Sequence, residues 1–413
     1  MKFVRHALAP FRIETLRTLG AREGWLIETP ELIRMGAGRV VDRIELVGGL
    51  DATTSAISAL SRHELLGDDG PAGSGVVAFG ALPFDRNAAG TLCVPEFVVN
   101  QLVTGKAWLT TSSDVKSWQV LYDNVVEPTQ VTQRPTSVMF QPEPEVYAHH
   151  VALAVEILRR KEIDKVVLAR AVLGTVPDVI DAGAIAHRLR AREPVCTLYS
   201  VPTDDGRRFI GASPELLVRR SAEAIQCHPL AGTITLPENV APDDYETWLL
   251  GSTKNLHEHA VVVDEIVSNL SNVYEDIEAD ATPSIVTLRT VAHLGSRITA
   301  RWSGESPAPD ALEVLRMLHP TAAVGGIPRE SAYELLCRLE EHDRGVFAGP
   351  VGWIDAAGDG EWWIGLRGVL LRGRDFEAWA GAGIVSESDP LSEREETRDK
   401  LAVVLGSVLV DPL

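Results

Sequence analysis

Asp164-Lys165-Val166-Val167-Leu168-Ala169-Arg170 is a short apolar run closed at both ends by charge, and from Lys165 to Leu173 it reads as a strand. A charged side chain set against a buried strand costs free energy unless something uses it. Desolvation pushes a lysine toward neutrality and a carboxylic acid toward keeping its proton. Ser213-Pro214-Glu215-Leu216-Leu217, some fifty residues on, sets an acid against a second apolar run. Lys165 and Glu215 together offer a base to activate water and an acid to protonate a leaving hydroxyl. Either alone is also what a strand-capping surface lysine or an exposed acid looks like.

Outward from that strand, Tyr147, Val151, Val155 and Leu158 fall on one face of a preceding helix. Strands are predicted at Val76–Leu82, Arg208–Ala212, Val346–Ile354, Trp362–Leu371 and Phe376–Ala382. The loop Gly70–Gly75 precedes the first of these. A helix is predicted over Leu256–Leu270, with Leu256, Val263, Ile266, Val267 and Leu270 keeping the period. Another is predicted from Ser392 to Leu409, with Ser392 as N-cap and Glu395 three residues later. Strands and helices mix without a strict βαβ repeat, so the expected fold is α+β, with largely antiparallel sheets and outer helices. Glu127–Pro144, dense in Pro, Thr and Gln, reads as a connector, either a domain linker or a surface crossing within one fold.

The chain has 413 residues and a net charge of −19, with no basic block, which argues against nucleic acid and anionic membranes as partners. An anionic substrate would need a metal ion or a few placed Arg and Lys to overcome that charge. Cys93, Cys196, Cys227 and Cys337 are far apart and form no C-x-x-C pair, the pattern of reduced thiols in a cytosolic protein. Met1–Ile13 lacks the apolar core of a signal peptide, and no stretch reaches the roughly 18 apolar residues of a membrane span. A soluble, cytoplasmic protein is expected.

Oxygen ligands are the next signal. Asn255 and Glu258 are three residues apart on one predicted helix, and Glu393 and Glu396 repeat that spacing on another. Two such faces meeting would suit Mg2+, which takes one or two carboxylates plus substrate and water. Solvent-exposed helices carry the same pairs routinely. His257-Glu258-His259 is no zinc motif, because histidines two apart diverge on a helix. Ala380-Gly381-Ala382-Gly383 starts like a dinucleotide fingerprint, but Ser386 stands at the third glycine and Asp389-Pro390 interrupts. Glycines there would bring backbone N–H groups close to an anion instead. Arg367 is read as mid-strand, serving either a structural ion pair or a carboxylate clamp. His293, before Leu294-Gly295-Ser296, is more often a core histidine than a catalytic one.

Taken in order, DKVVLAR (164–170), GASPELL (211–217), HPLAGT (228–233), KNLHEH (254–259), HLGSRI (293–298), LHPTAAVGGIP (318–328), DRGVFAGPVGWID (343–355), AGAGIV (380–385) and EREETRDKL (393–401) resemble the chorismate-utilising enzymes, most of all the isochorismate synthases of menaquinone and siderophore biosynthesis. The resemblance is dense over 143–413. It is loose over the divergent 1–142, where GALPFD (80–85) carries it, and it implies one domain over 1–413.

The fold it implies is a central, largely antiparallel β-sandwich flanked by helices. The activity it implies is that of an isomerase, in which water attacks C2 of chorismate and the C4 hydroxyl departs. Lys165 matches the base and Glu215 the acid. Glu258 and Glu396 match direct Mg2+ ligands, with Glu393 outside them. Gly232, Thr233, His293, Arg367, Gly383 and Lys400 match positions that line the substrate. Burial and neighbouring cations would bring the Lys165 amine toward neutrality.

Anthranilate synthases usually carry glutamine at Lys165, and aminodeoxychorismate synthases carry lysine at Ala231, so water is the expected nucleophile. No amidotransferase partner is implied, and with no long apolar stripe left over a monomer is expected. The alternatives are a salicylate synthase, which goes on to eliminate pyruvate, and a non-catalytic chorismate-binding relative. One departure stands out: family members usually have an acid where this chain has Asn255.

Overall fold

In the computed structural model, which describes residues 1–52, 54–128, 132–236 and 242–410, the Lys165 run forms the strand Lys165–Thr175. Its first eight residues are all buried, which explains an apolar run with no alternation: both faces are covered. The strand pairs antiparallel with Asp375–Ile384 through ten consecutive positions, from Thr175 opposite Asp375 to Val166 opposite Ile384. Its other edge takes Ser137–Gln141 and, beside Lys165 and Val166, Ile327 and Gly326. The helix Pro144–Leu158 buries Tyr147, Val151, Val155 and Leu158 as the spacing predicts, and the Tyr147 hydroxyl donates to the Leu168 carbonyl at 3.0 Å.

Around this strand runs a hydrogen-bonded network of twenty strands, and a separate three-stranded sheet joins Leu230–Thr235, Ser284–Thr287 and Val291–Gly295. Among the described residues the strand ladders are antiparallel apart from one parallel pairing, Lys2–Leu8 with Glu64–Gly67, so the α+β expectation holds. The N-terminal strands enter the same network. Val77–Ala81 pairs with Pro350–Asp355, and Trp25–Glu28 pairs with Thr197–Pro202. Within the proposed connector, Ser137–Gln141 is itself a strand. The two largest of four apolar clusters among the described residues flank the sheet network. One lies under the helices Thr253–Leu270, Ala311–Leu318 and Arg329–Leu339, the other between Ile13–Glu23, Ala182–Arg192 and the end of Pro390–Leu405.

Four local expectations are corrected. Val346–Ile354 is not one strand: Val346–Gly349 turns, with Ala348 at φ 59°, and pairing begins at Pro350. Trp362–Leu371 is two strands, Gly360–Ile364 and Gly368–Arg372, because the Leu366 amide turns back to the Ile364 carbonyl at 2.7 Å and Arg367 takes φ 50°. The last helix spans Pro390–Leu405, capped by Asp389, whose carboxylate accepts from the Ser392 amide. Proline fits its first turn, so Asp389-Pro390 starts the helix where Ser392 was read as the start. Thr253–Leu270 buries Asn255, His259, Val262, Ile266 and Leu270; Leu256, Val263 and Val267 flank that face half-buried.

No helix among the described residues is long and apolar enough to cross a membrane. All four cysteines are free thiols, three of them buried.

Candidate active site

The strand Lys165–Thr175 opens onto a cavity of about 810 Å³, its mouth included. Nine of the eleven residues singled out in the sequence line it: Lys165, Glu215, Thr233, Glu258, His293, Arg367, Gly383, Glu396 and Lys400. Gly232 and Glu393 are not among the lining residues.

Glu215 follows the end of the strand Arg208–Ser213. The Ser213 hydroxyl donates to the Ile364 carbonyl at 2.6 Å, and the Ile364 amide donates to the Glu215 carbonyl at 3.1 Å, so the residue is pinned to its neighbouring strand. Its side chain is buried. Burial pushes the carboxyl up to about 8, against the opposing pull of the Leu230 backbone and of the Lys165 and Lys400 charges. At neutral pH it keeps its proton.

Lys165 is equally buried, but not isolated. Its Nζ lies 3.0 Å from Glu258 Oε1, an ion pair that the argument for a free neutral amine did not anticipate. Gly383, on the adjacent strand, makes this pair possible. A Cβ there would stand 2.5 Å from Glu258 Oε1 and 2.9 Å from Lys165 Cε.

Each of the three acids matched to metal binding is paired with a lysine. Glu258 faces Lys165, Glu393 faces Lys254 at 3.2 Å, and Glu396 faces Lys400 at 2.6 Å. Glu258 is carried by the helix Thr253–Leu270, and Glu393 and Glu396 by Pro390–Leu405. Glu393 is buried, and burial together with the Glu396 charge pushes its carboxyl up. Among the described residues no three His, Cys, Asp or Glu side chains converge as a ready metal-holding cluster. The donor atoms are nonetheless all oxygen, and two acids that repel one another suit a hard dication. Asn255 is buried and does not line the cavity; its carbonyl packs against Gly232. His257 is exposed, while the His259 ring meets Ser296 Oγ at 2.8 Å, so the two histidines do diverge.

On the remaining wall, Arg367 occupies the break between two strands. Its side chain is buried, Nη2 lies 2.8 Å from His293 Nε2, and Nη1 has no hydrogen-bond partner among the described residues. An orphaned guanidinium donor is costly to bury unless an anion completes it. His293 Nδ1 lies 2.9 Å from Thr233 Oγ1. Burial, Arg367 and Lys400 hold the imidazole well below its ordinary range, so it is neutral. Gly232, at φ 69°, is the extra residue of a bulge between Ala231 and Thr233 and lies close against Asn255. Lys400 Nζ also donates to the Gly381 carbonyl at 2.9 Å.

Sequence reading missed the apolar wall: Val324, Phe347, Ala348, Leu366 and Trp379, with Phe347 and Trp379 stacked at 5.6 Å. It also missed Arg344. This buried side chain binds Glu340 and donates to the Val324 carbonyl at 2.8 Å and the Val167 carbonyl at 2.7 Å. Loop residues carry no periodicity, so the only signal was Arg344 inside the 343–355 motif.

Comparison with known proteins places this cavity in context. The family described as chorismate binding enzyme matches residues 25–409. The isochorismate synthase EntC of Escherichia coli is 33% identical over 331 residues, 80% of each chain. The isochorismate synthase DhbC of Bacillus subtilis is 33% identical over 342 residues, again 80% of each. Among solved structures, the menaquinone-specific isochorismate synthase MenF of Escherichia coli superposes with a TM-score of 0.81 at 25% identity, over 98% of this chain and 94% of that one.

Proposed function

The chain belongs to the chorismate binding enzyme family, and from that premise we propose how its cavity works. Its activity is that of an isochorismate synthase, an isomerase that converts chorismate to isochorismate. Water attacks C2 of the ring. The Lys165 amine, acting as base, takes the proton of that water as the C–O bond forms, and the ring double bonds shift. Glu215 gives its proton to the C4 hydroxyl, which leaves as water. One water enters and one departs, so substrate and product are isomers. Lys165 ends protonated beside Glu258, and Glu215 ends as a carboxylate.

Arg367, Thr233 and the Lys400 ammonium receive the carboxylates of the dianionic substrate, with Gly383 and the bulge at Gly232 keeping that wall open. Phe347 and Trp379 supply an apolar face for the ring. Glu258 and Glu396, with Glu393 behind them, would hold a Mg2+ ion, whose positive charge helps a −19 protein accept an anion. The supporting observation for that ion is an all-oxygen donor set in which burial and a neighbouring acid already strain Glu393.

The proposal includes one catalytic unit over 1–413, with a divergent 1–142 and the catalytic residues within 143–413. It includes a cytoplasmic monomer that works without an amidotransferase, in keeping with four free thiols. Its product would enter menaquinone or siderophore biosynthesis.

The observation that carries the mechanism is a buried amine and a buried, protonated acid, fifty residues apart in sequence, on the wall of one cavity. The test is purified protein with chorismate, with and without Mg2+, and identification of the product. Isochorismate in the Mg2+ arm is expected. Salicylate plus pyruvate would make it a salicylate synthase, product with ammonia alone would overturn the role of Lys165, and no turnover would leave a chorismate-binding protein.

A further inference from the structure

The direction of each hydrogen bond along Arg367, His293 and Thr233 is fixed by elementary chemistry. A guanidinium has donors and no acceptor, so the 2.8 Å contact requires His293 Nε2 to accept. A neutral imidazole with a bare Nε2 carries its proton on Nδ1. Nδ1 must then donate to Thr233 Oγ1 across 2.9 Å. That bond uses the hydroxyl as acceptor and leaves its hydrogen free. Among the described residues the Thr233 hydroxyl has no other partner, and the residue is half-buried on the cavity wall.

We propose that His293 is a positioning residue, not a proton-transfer group: locked as its Nδ1–H tautomer between Arg367 and Thr233, it turns the Thr233 hydroxyl into a dedicated donor to a carboxylate of the substrate. The chain of donors starts at Arg367 and ends at the Thr233 hydroxyl, and both side chains are on the cavity wall. A hydroxyl held as a donor on the same wall as a guanidinium favours a charged carboxylate over a neutral amide or ester. Neither ring nitrogen remains free to exchange a proton with substrate.

The carboxylate half of this inference rests on the chorismate reading, whereas the tautomer half does not. The first experiment is therefore nitrogen-15 NMR of histidine-labelled protein without substrate, with His293 assigned by its loss in His293→Asn. A protonated Nδ1 and a bare Nε2 are expected; a proton on Nε2 overturns the proposal whatever the enzyme does.

The second experiment is steady-state kinetics with chorismate. Thr233→Val should raise KM roughly tenfold to a hundredfold, the range for a hydrogen bond to a charged group, with a much smaller change in kcat. Thr233→Ser should recover most of that loss. His293→Asn keeps a donor near the Nδ1 position and should preserve the shape of the pH profile of kcat/KM. His293→Gln keeps an acceptor for Arg367 but no donor to Thr233, and should match Thr233→Val. An unchanged KM in Thr233→Val, or a limb of the pH profile that vanishes in His293→Asn, would overturn the assignment. Wild-type protein inert toward chorismate would sink the chorismate reading and leave the tautomer measurement standing.

Discussion

Replacing Glu215 with glutamine should make this protein more stable and less active, and the size of the first effect follows from burial. An ordinary glutamate releases its proton near 4.5, whereas buried Glu215 holds it to about 8. Below pH 4.5 both folded and unfolded chains carry the proton, and the contribution to stability is full. Between 4.5 and 8 the unfolded chain has released it and the folded chain has not, so each step up in pH favours unfolding. At ~1.4 kcal/mol per pH unit the loss reaches about 5 kcal/mol above pH 8. Glutamine has nearly the same shape and no charge to desolvate, so it escapes this loss. Urea unfolding of both proteins at pH 5 and pH 9 measures it. The two should be nearly equal at pH 5, with Glu215→Gln ahead by several kcal/mol at pH 9. Turnover should fall by about a hundredfold or more, the usual contribution of a general acid, and wild-type kcat/KM should decline as pH rises through about 8. Parallel loss of stability in the two proteins would refute the buried-acid argument, and near-normal turnover in the variant would remove Glu215 from the chemistry.

Lys165→Ala should lower turnover at least a hundredfold while calorimetry still detects Mg2+-dependent chorismate binding; a smaller loss would take the base role away from Lys165. Glu396→Ala removes an oxygen ligand and should weaken Mg2+ binding in a direct metal titration, so an unchanged affinity would place the ion elsewhere. Gly383→Ala puts a methyl 2.5 Å from Glu258 Oε1, and kcat should drop about a hundredfold with an unchanged circular dichroism spectrum; retained activity would show that the Lys165–Glu258 pair is dispensable.

Sequence patterning located the long, strongly periodic elements and the residues with unusual chemistry. Pro144–Leu158 declared its buried face, and Lys165 and Glu215 were conspicuous because charge beside an apolar run is expensive. The failures cluster where local hydrogen bonding overrides pattern. Gly360–Arg372 is apolar enough to read as one strand, yet the turn at Ile364–Leu366 and the left-handed Arg367 split it, and no periodicity encodes that split. Asp389 competes with Ser392 for the same orphaned amides, and the carboxylate three residues earlier captures them. The lysine partners of Glu258 and Glu393 were invisible because they come from distant segments, whereas Lys400 lies one turn from Glu396 on the same helix. Only the fold brings Lys165 to Glu258, or Lys254 to Glu393.

The ten-position ladder between Lys165–Thr175 and Asp375–Ile384 makes catalysis a reporter of folding fidelity. Side chains alternate faces along a strand, so a slip of one residue would send Lys165 away from the cavity and put a side-chain-bearing neighbour where Gly383 belongs. A molecule zipped one step out of place would keep most of its hydrogen bonds and most of its circular dichroism, yet turn over nothing. Specific activity in a refolded preparation therefore counts the chains that found the correct alignment.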